Sequence, residues 1–75
     1  MDETDKTLCA FGAALRQERE ERKLTIAAVS VKTGIPAEII SAYEAGTEEI
    51  HLLEIFRLAE ALGVTAQSLL SKAGM

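Results

Sequence analysis

The residues able to do chemistry in this chain are few and scattered. His51 is its only histidine and Cys9 its only cysteine, so neither can seed a metal cluster or a nucleophile–base pair. Ser30, Ser41, Ser68 and Ser71 stand in no nucleophile motif, and no glycine-rich loop is present to cradle a phosphate. The sequence therefore argues against an enzyme and calls for no metal or cofactor. What remains is charge, and it is unevenly placed. From Thr33 to Phe56 there is no Lys or Arg, while Glu38, Glu44, Glu48, Glu49 and Glu54 all fall within that stretch. Carboxylates so placed repel a polyanion within a Debye length of roughly 8–10 Å.

The elements that must position these residues follow from apolar spacing. A first helix is predicted from about Thr7 to Arg22, with Leu8, Phe11, Ala14 and Leu15 on one stripe. Met1–Lys6 is expected to be a frayed segment ahead of a single domain over residues 7–75. Lys23 falls at the end of the first helix, where the helix dipole favours a cation. Thr25 is the expected N-cap of a second helix, Ile26 to about Lys32, closed by Gly34. Pro36 opens a third helix running to Ala45, with Ile40, Tyr43 and the stem of Glu44 facing inward and Gly46 ending it. A fourth starts at or beside His51, with Leu52, Ile55, Phe56, Ala59 and Leu62 as its apolar stripe and Gly63 as its stop. Thr65 caps a short fifth helix carrying Leu69 and Leu70. No strand signal, repeat or linker appears, so the expected fold class is all-α: a compact five-helix domain.

Composition limits the partners. Seventy-five residues, 48% of them apolar and 27% charged, suit one small globular domain. Such a domain buries only about 60% of its unfolded surface, and its stability is correspondingly modest. A net charge of −4 argues against indiscriminate nucleic-acid binding and against docking on an anionic membrane. A lone cysteine allows no internal disulfide; Cys9 is expected to act as a small buried hydrophobe. No signal peptide is expected from the acidic Met1–Lys6, and no apolar run approaches bilayer length. The expected location is the cytoplasm.

Leu15-Arg16 with Arg19, Leu24-Thr25, Val29, Gly34-Ile35, Ile40, Tyr43-Glu44 and Gly46 form an ordered pattern that continues in Leu58 to Val64. In this pattern the chain resembles the Cro and lambda-repressor-like, or XRE, helix-turn-helix family from about Phe11 to Leu70. The resemblance implies a helix-turn-helix at the second and third helices and double-stranded DNA as partner. It implies an ion pair between Arg19 and Glu44, a structural role. It also implies that Ala37, Glu38 and Ala42 take base-reading places, that Ile26 takes the phosphate-holding place, and that Ala45 faces DNA. Family habit further implies a homodimer through Leu69 and Leu70.

The chemistry of those positions points the other way. Alanine can touch a thymine methyl and glutamate can accept from a cytosine amino group, but neither makes the two-point contacts of Arg or Gln. Phosphate neutralisation by Lys and Arg, the main source of affinity, is missing from the face. The expectation is a small transcriptional regulator whose monomer binds DNA weakly. The alternative is a protein–protein interaction module using Ile26, Ile39, Ile50, Glu48 and Glu49: an anti-repressor, a heterodimer partner or a cytoskeleton-type adaptor. Leu15-Arg16-Gln17, Val29, Thr33, Ile35-Pro36 and Glu44 carry that alternative, since they are also similar to the helix-turn-helix of bacterial cell-shape proteins.

Overall fold

The computed structural model describes the backbone of residues 3–74 and the side chains of residues 7–74. Five helices follow one another: α1 (Glu3–Glu21), α2 (Ile26–Thr33), α3 (Ala37–Ala45), α4 (Leu52–Leu62) and α5 (Ala66–Lys72). The first packs on α3 and α5, α2 packs on α3 and α4, and α4 packs on α5. Phe11, Ala14, Leu15, Val29, Ile35, Ile40, Tyr43, Leu58, Ala59, Leu62 and Leu69 form one core where these helices meet. Each large aliphatic side chain so buried contributes roughly 1.5–3 kcal/mol.

Helix boundaries are set by local chemistry. Thr25 and Thr65 cap α2 and α5, each hydroxyl accepting a 3.0 Å hydrogen bond from the backbone N–H three residues on. Gly34 lies at φ 77°, a conformation costly for any side chain with a Cβ. Its N–H donates to the Ser30 carbonyl at 2.8 Å, which closes α2 and turns the chain toward α3. The turn is braced twice more. Ser30 Oγ donates to the Ile35 carbonyl, and Thr33 Oγ1 accepts from the Ile35 N–H at 3.2 Å while donating to the Val29 carbonyl at 2.8 Å. Ile35 is thereby pinned into the core, and the angle between α2 and α3 is fixed by four short-range bonds.

Several sequence expectations change. The helical backbone begins at Glu3 instead of Thr7, so Glu3–Lys6 of the expected frayed segment is helical. Nothing between Glu3 and Thr7 is a helix breaker, and periodicity alone cannot mark where an unbroken polar start begins. Met1 and Asp2 lie outside the described residues. Pro36 is the N-cap of α3, one place ahead of the helix proper. Cys9 is exposed instead of buried, at the edge of the contact where α1 passes Gly46 at the end of α3.

The stripe on α4 is rotated from the expected one. Leu58 is fully buried together with Ala59 and Leu62, whereas Leu52 and Phe56 are 66% and 54% exposed. The helix is apolar around most of its circumference, so spacing cannot choose a face; contact with α2 and α5 chooses it. Leu69 is likewise fully buried against this core. It therefore has no surface to offer a second chain, and the expected contact through Leu69 is corrected; Leu70 remains half-buried.

An ionic cluster ties the two ends of the fold together. Lys72 Nζ on α5 donates to Glu18 Oε1 of α1 at 2.6 Å and to Glu21 Oε1 at 3.3 Å. Arg22 Nη1 donates to Glu18 Oε2 at 2.6 Å. The hydrogen bond from Lys72, with the charges of Arg22 and Lys72, holds the Glu18 carboxyl below its ordinary pKa against the opposing effect of burial.

Candidate nucleic-acid interface

The α3 helix presents a narrow outer face. Ala37, Glu38, Ser41 and Ala45 are exposed along it, with Ala42 half-buried at its edge. Helical spacing explains the set: positions 37, 41 and 45 repeat at four, and 38 lies beside them. Ser41 sits in the middle of this face and was not among the residues singled out by sequence. Its signal was the four-residue interval linking it to Ala37 and Ala45. It is the one neutral hydrogen-bonding side chain there, able to donate or accept toward a base edge or a phosphate.

What holds the face in position is a clamp from α1. Arg19 Nε donates to Glu44 Oε2 at 2.7 Å and Arg19 Nη2 to Glu44 Oε1 at 3.0 Å, a two-point contact. Arg19 Nη1 also donates to the Leu24 carbonyl at 2.9 Å. One guanidinium thus joins α1, the connection into α2 and the last turn of α3. The hydrogen bonds to Glu44 raise the Arg19 pKa further above its ordinary value, outweighing burial. The pair expected between Arg19 and Glu44 is present, and it fixes how α3 lies on the domain. Behind it, burial raises the Tyr43 phenol pKa, reinforced by the carboxylates of Glu54 and Glu48.

The surroundings of this face are acidic, as the sequence suggested. Glu48 and Glu49 are exposed in the loop after α3. Ile26, Ile39 and Ile50 are half-buried and pack against the core, so they offer only their edges to a partner. The large exposed apolar side chains lie elsewhere: Leu52, Leu53 and Phe56 on α4, and Val31 on α2. Most of the basic residues near α1 are already engaged. Arg22 and Lys72 serve Glu18, and Arg16 Nε holds Glu20 Oε2 at 3.1 Å in an exposed pair one turn apart. Arg16 also borders a cavity of about 280 Å³ beside α3, lined with Arg19, Ile26, Ser41, Glu44 and Ala45.

Among the described residues no group of three or more His, Cys, Asp or Glu side chains is placed to hold a metal ion. No helix among them is long and apolar enough to cross a membrane.

Comparison with known proteins gives three concordant results. A helix-turn-helix family model matches residues 15–69. The HTH-type transcriptional repressor RghR of Bacillus subtilis is 41% identical over 66 residues, which cover 87% of this chain and 49% of that protein. The chain thus spans about half the length of this curated relative. Among solved structures, the restriction-modification controller protein C.AhdI from Aeromonas hydrophila superposes with a TM-score of 0.81 at 27% identity, covering 83% of this chain and 94% of that one. The clp gene regulator ClgR from C. glutamicum gives a TM-score of 0.87 at 25% identity, covering 91% and 88%.

Proposed function

Because this chain belongs to the helix-turn-helix family, of the XRE type, we propose that it is a DNA-binding transcriptional regulator of the cytoplasm that reads DNA through α3. The observation that carries this reading is the exposed stripe of Ala37, Glu38, Ser41 and Ala45, held out by the Gly34 turn and the Arg19–Glu44 clamp. The named repressor and regulators to which the chain is similar support it. In this register Ala37 and Ala42 meet thymine methyl groups, and Glu38 accepts from a cytosine amino group. Ser41 supplies a hydrogen bond to base or phosphate. The acidic surroundings set the price in affinity, so each monomer contributes little and low salt is needed to detect it.

Fluorescence anisotropy of a labelled genomic duplex at about 50 mM salt, where counterion release is most favourable, is expected to show saturable binding that weakens as salt rises. Glu38→Gln, which removes one carboxylate from the face, should tighten that binding severalfold. No binding by the wild-type protein at that salt would sink the reading.

The acting unit is a homodimer joined through the start of α4. Leu52, Leu53 and Phe56 are all more than half exposed and adjoin one another as one contiguous apolar strip. Arg57 and Glu60 border this strip, with opposite charges and no salt bridge among the described residues. A twofold contact uses one surface twice, so a strip flanked by both signs complements its own copy. Phe56→Glu is expected to give a monomer in sedimentation and to weaken duplex binding by about a hundredfold, the avidity of a second site. A wild-type protein that binds DNA while sedimenting as a monomer would exclude the dimer.

A further inference from the structure

The family's phosphate-holding position at the start of α2 is occupied here by Ile26, which can neutralise nothing. We infer that Arg16 of α1 supplies the missing cation, turning from Glu20 to a DNA backbone phosphate at the cavity between α1, α2 and α3. The inference rests on the DNA-binding reading above and names a contact that the sequence register does not assign.

Three observations converge on it. First, the cavity of about 280 Å³ has the start of α2 (Ile26) on one side and the outer face of α3 (Ser41 and Ala45) on the other, so a strand following α3 passes its mouth. Second, of the two arginines lining it, Arg19 is committed to Glu44 and Leu24, both ends of its guanidinium being engaged. Among the described residues Arg16 is held only by Glu20, through a single 3.1 Å bond between side chains 63% and 54% exposed. Exposed pairs of this kind hold loosely and exchange readily with a better partner. A phosphate offers that guanidinium a two-point contact in place of one bond. Third, the remaining carboxylate in the cavity, Glu44, is already neutralised by Arg19, so the pocket's residual charge is set by Arg16.

Glu20 then acts as a built-in competitor. Two substitutions should move DNA binding in opposite directions, and both side chains are exposed enough to leave folding intact, which a thermal melt verifies. Arg16→Gln should weaken duplex binding and lower the slope of log affinity against log salt by about 0.9, the share of one phosphate. Glu20→Gln should free Arg16 and tighten binding by about two- to fivefold, more than Glu21→Gln, which makes the same charge change where Arg16 is not held. In an Arg16→Gln background the advantage of Glu20→Gln over Glu21→Gln should vanish. An unchanged salt slope in Arg16→Gln, or equal effects of the two glutamate variants, overturns the contact while leaving the DNA-binding reading standing. Absence of wild-type binding at low salt overturns both.

Discussion

Arg19→Met should lower the free energy of unfolding by about 3–5 kcal/mol, the usual cost of stranding one partner of a buried pair. The side chains of Arg19 and Glu44 are 13% and 7% exposed, so water cannot take over the role of the lost guanidinium. A domain of this length holds roughly 4–11 kcal/mol in total, and the variant should unfold at far lower urea than the parent. The Leu24 carbonyl loses its bond in the same substitution, which loosens the entry to α2 as well. Replacing both partners, Arg19→Met with Glu44→Leu, should restore most of the stability, because no charge is then left buried. It should not restore duplex binding, since the two-point contact also sets the direction of α3. Urea unfolding of the three variants checks the first part and anisotropy the second. A loss below about 1 kcal/mol in Arg19→Met, the level of a surface pair, would show that the clamp is open to water.

Gly12→Ala should be the most damaging of the small substitutions. Gly12 lies in the middle of α1, where alanine is ordinarily worth about 1 kcal/mol more than glycine. Here a Cβ would come within 2.6 Å of the Glu44 carbonyl oxygen and closer still to that of Tyr43. Both are backbone atoms at the end of α3, so neither can swing aside. The two helices must separate, and they cannot do so without stretching the Arg19–Glu44 contact between the same pair. Overpacking of about 1–3 kcal/mol, with the strain on the clamp added, should exceed the gain in helix propensity. The expected net loss is about 2 kcal/mol by urea unfolding. A stabilised Gly12→Ala would mean that α1 and α3 do not approach as closely as described.

These two positions show what a sequence does and does not disclose. Arg19 and Glu44 were legible through the pattern they share with a known family, and Gly34 through the demands of a tight turn. Gly12 carried a signal too, an unneeded glycine inside a strong helix, but its cause is the backbone of a helix thirty residues on and has no local trace. Periodicity does not pick out Leu58 and turns Leu52 and Phe56 inward, because α4 is apolar on too many sides for it to select one. Leu69 was assigned to a partner for a related reason. An apolar residue near the end of a domain reads the same whether its own core or another chain covers it. Of the candidate site, the acidity and the face of α3 were visible in advance, while Ser41 and the cavity beside Arg16 required the helices to be assembled.

The tether from Lys72 to Glu18 has a consequence for how the chain acquires its structure. The two residues are 54 positions apart, and Leu69, fully buried, arrives with the same helix. During synthesis α1 to α4 leave the ribosome before α5, so the core first collapses with one side uncovered. The contacts of α5 therefore follow those of α1 with α3 and of α2 with α4. Until then Phe11, Leu15 and Leu62 belong to a half-built interior open to aggregation or proteolysis. Glu18, already paired with Arg22 beside it, gives the arriving lysine a carboxylate partner on α1, so the last helix is received by an electrostatic latch as its leucine is buried.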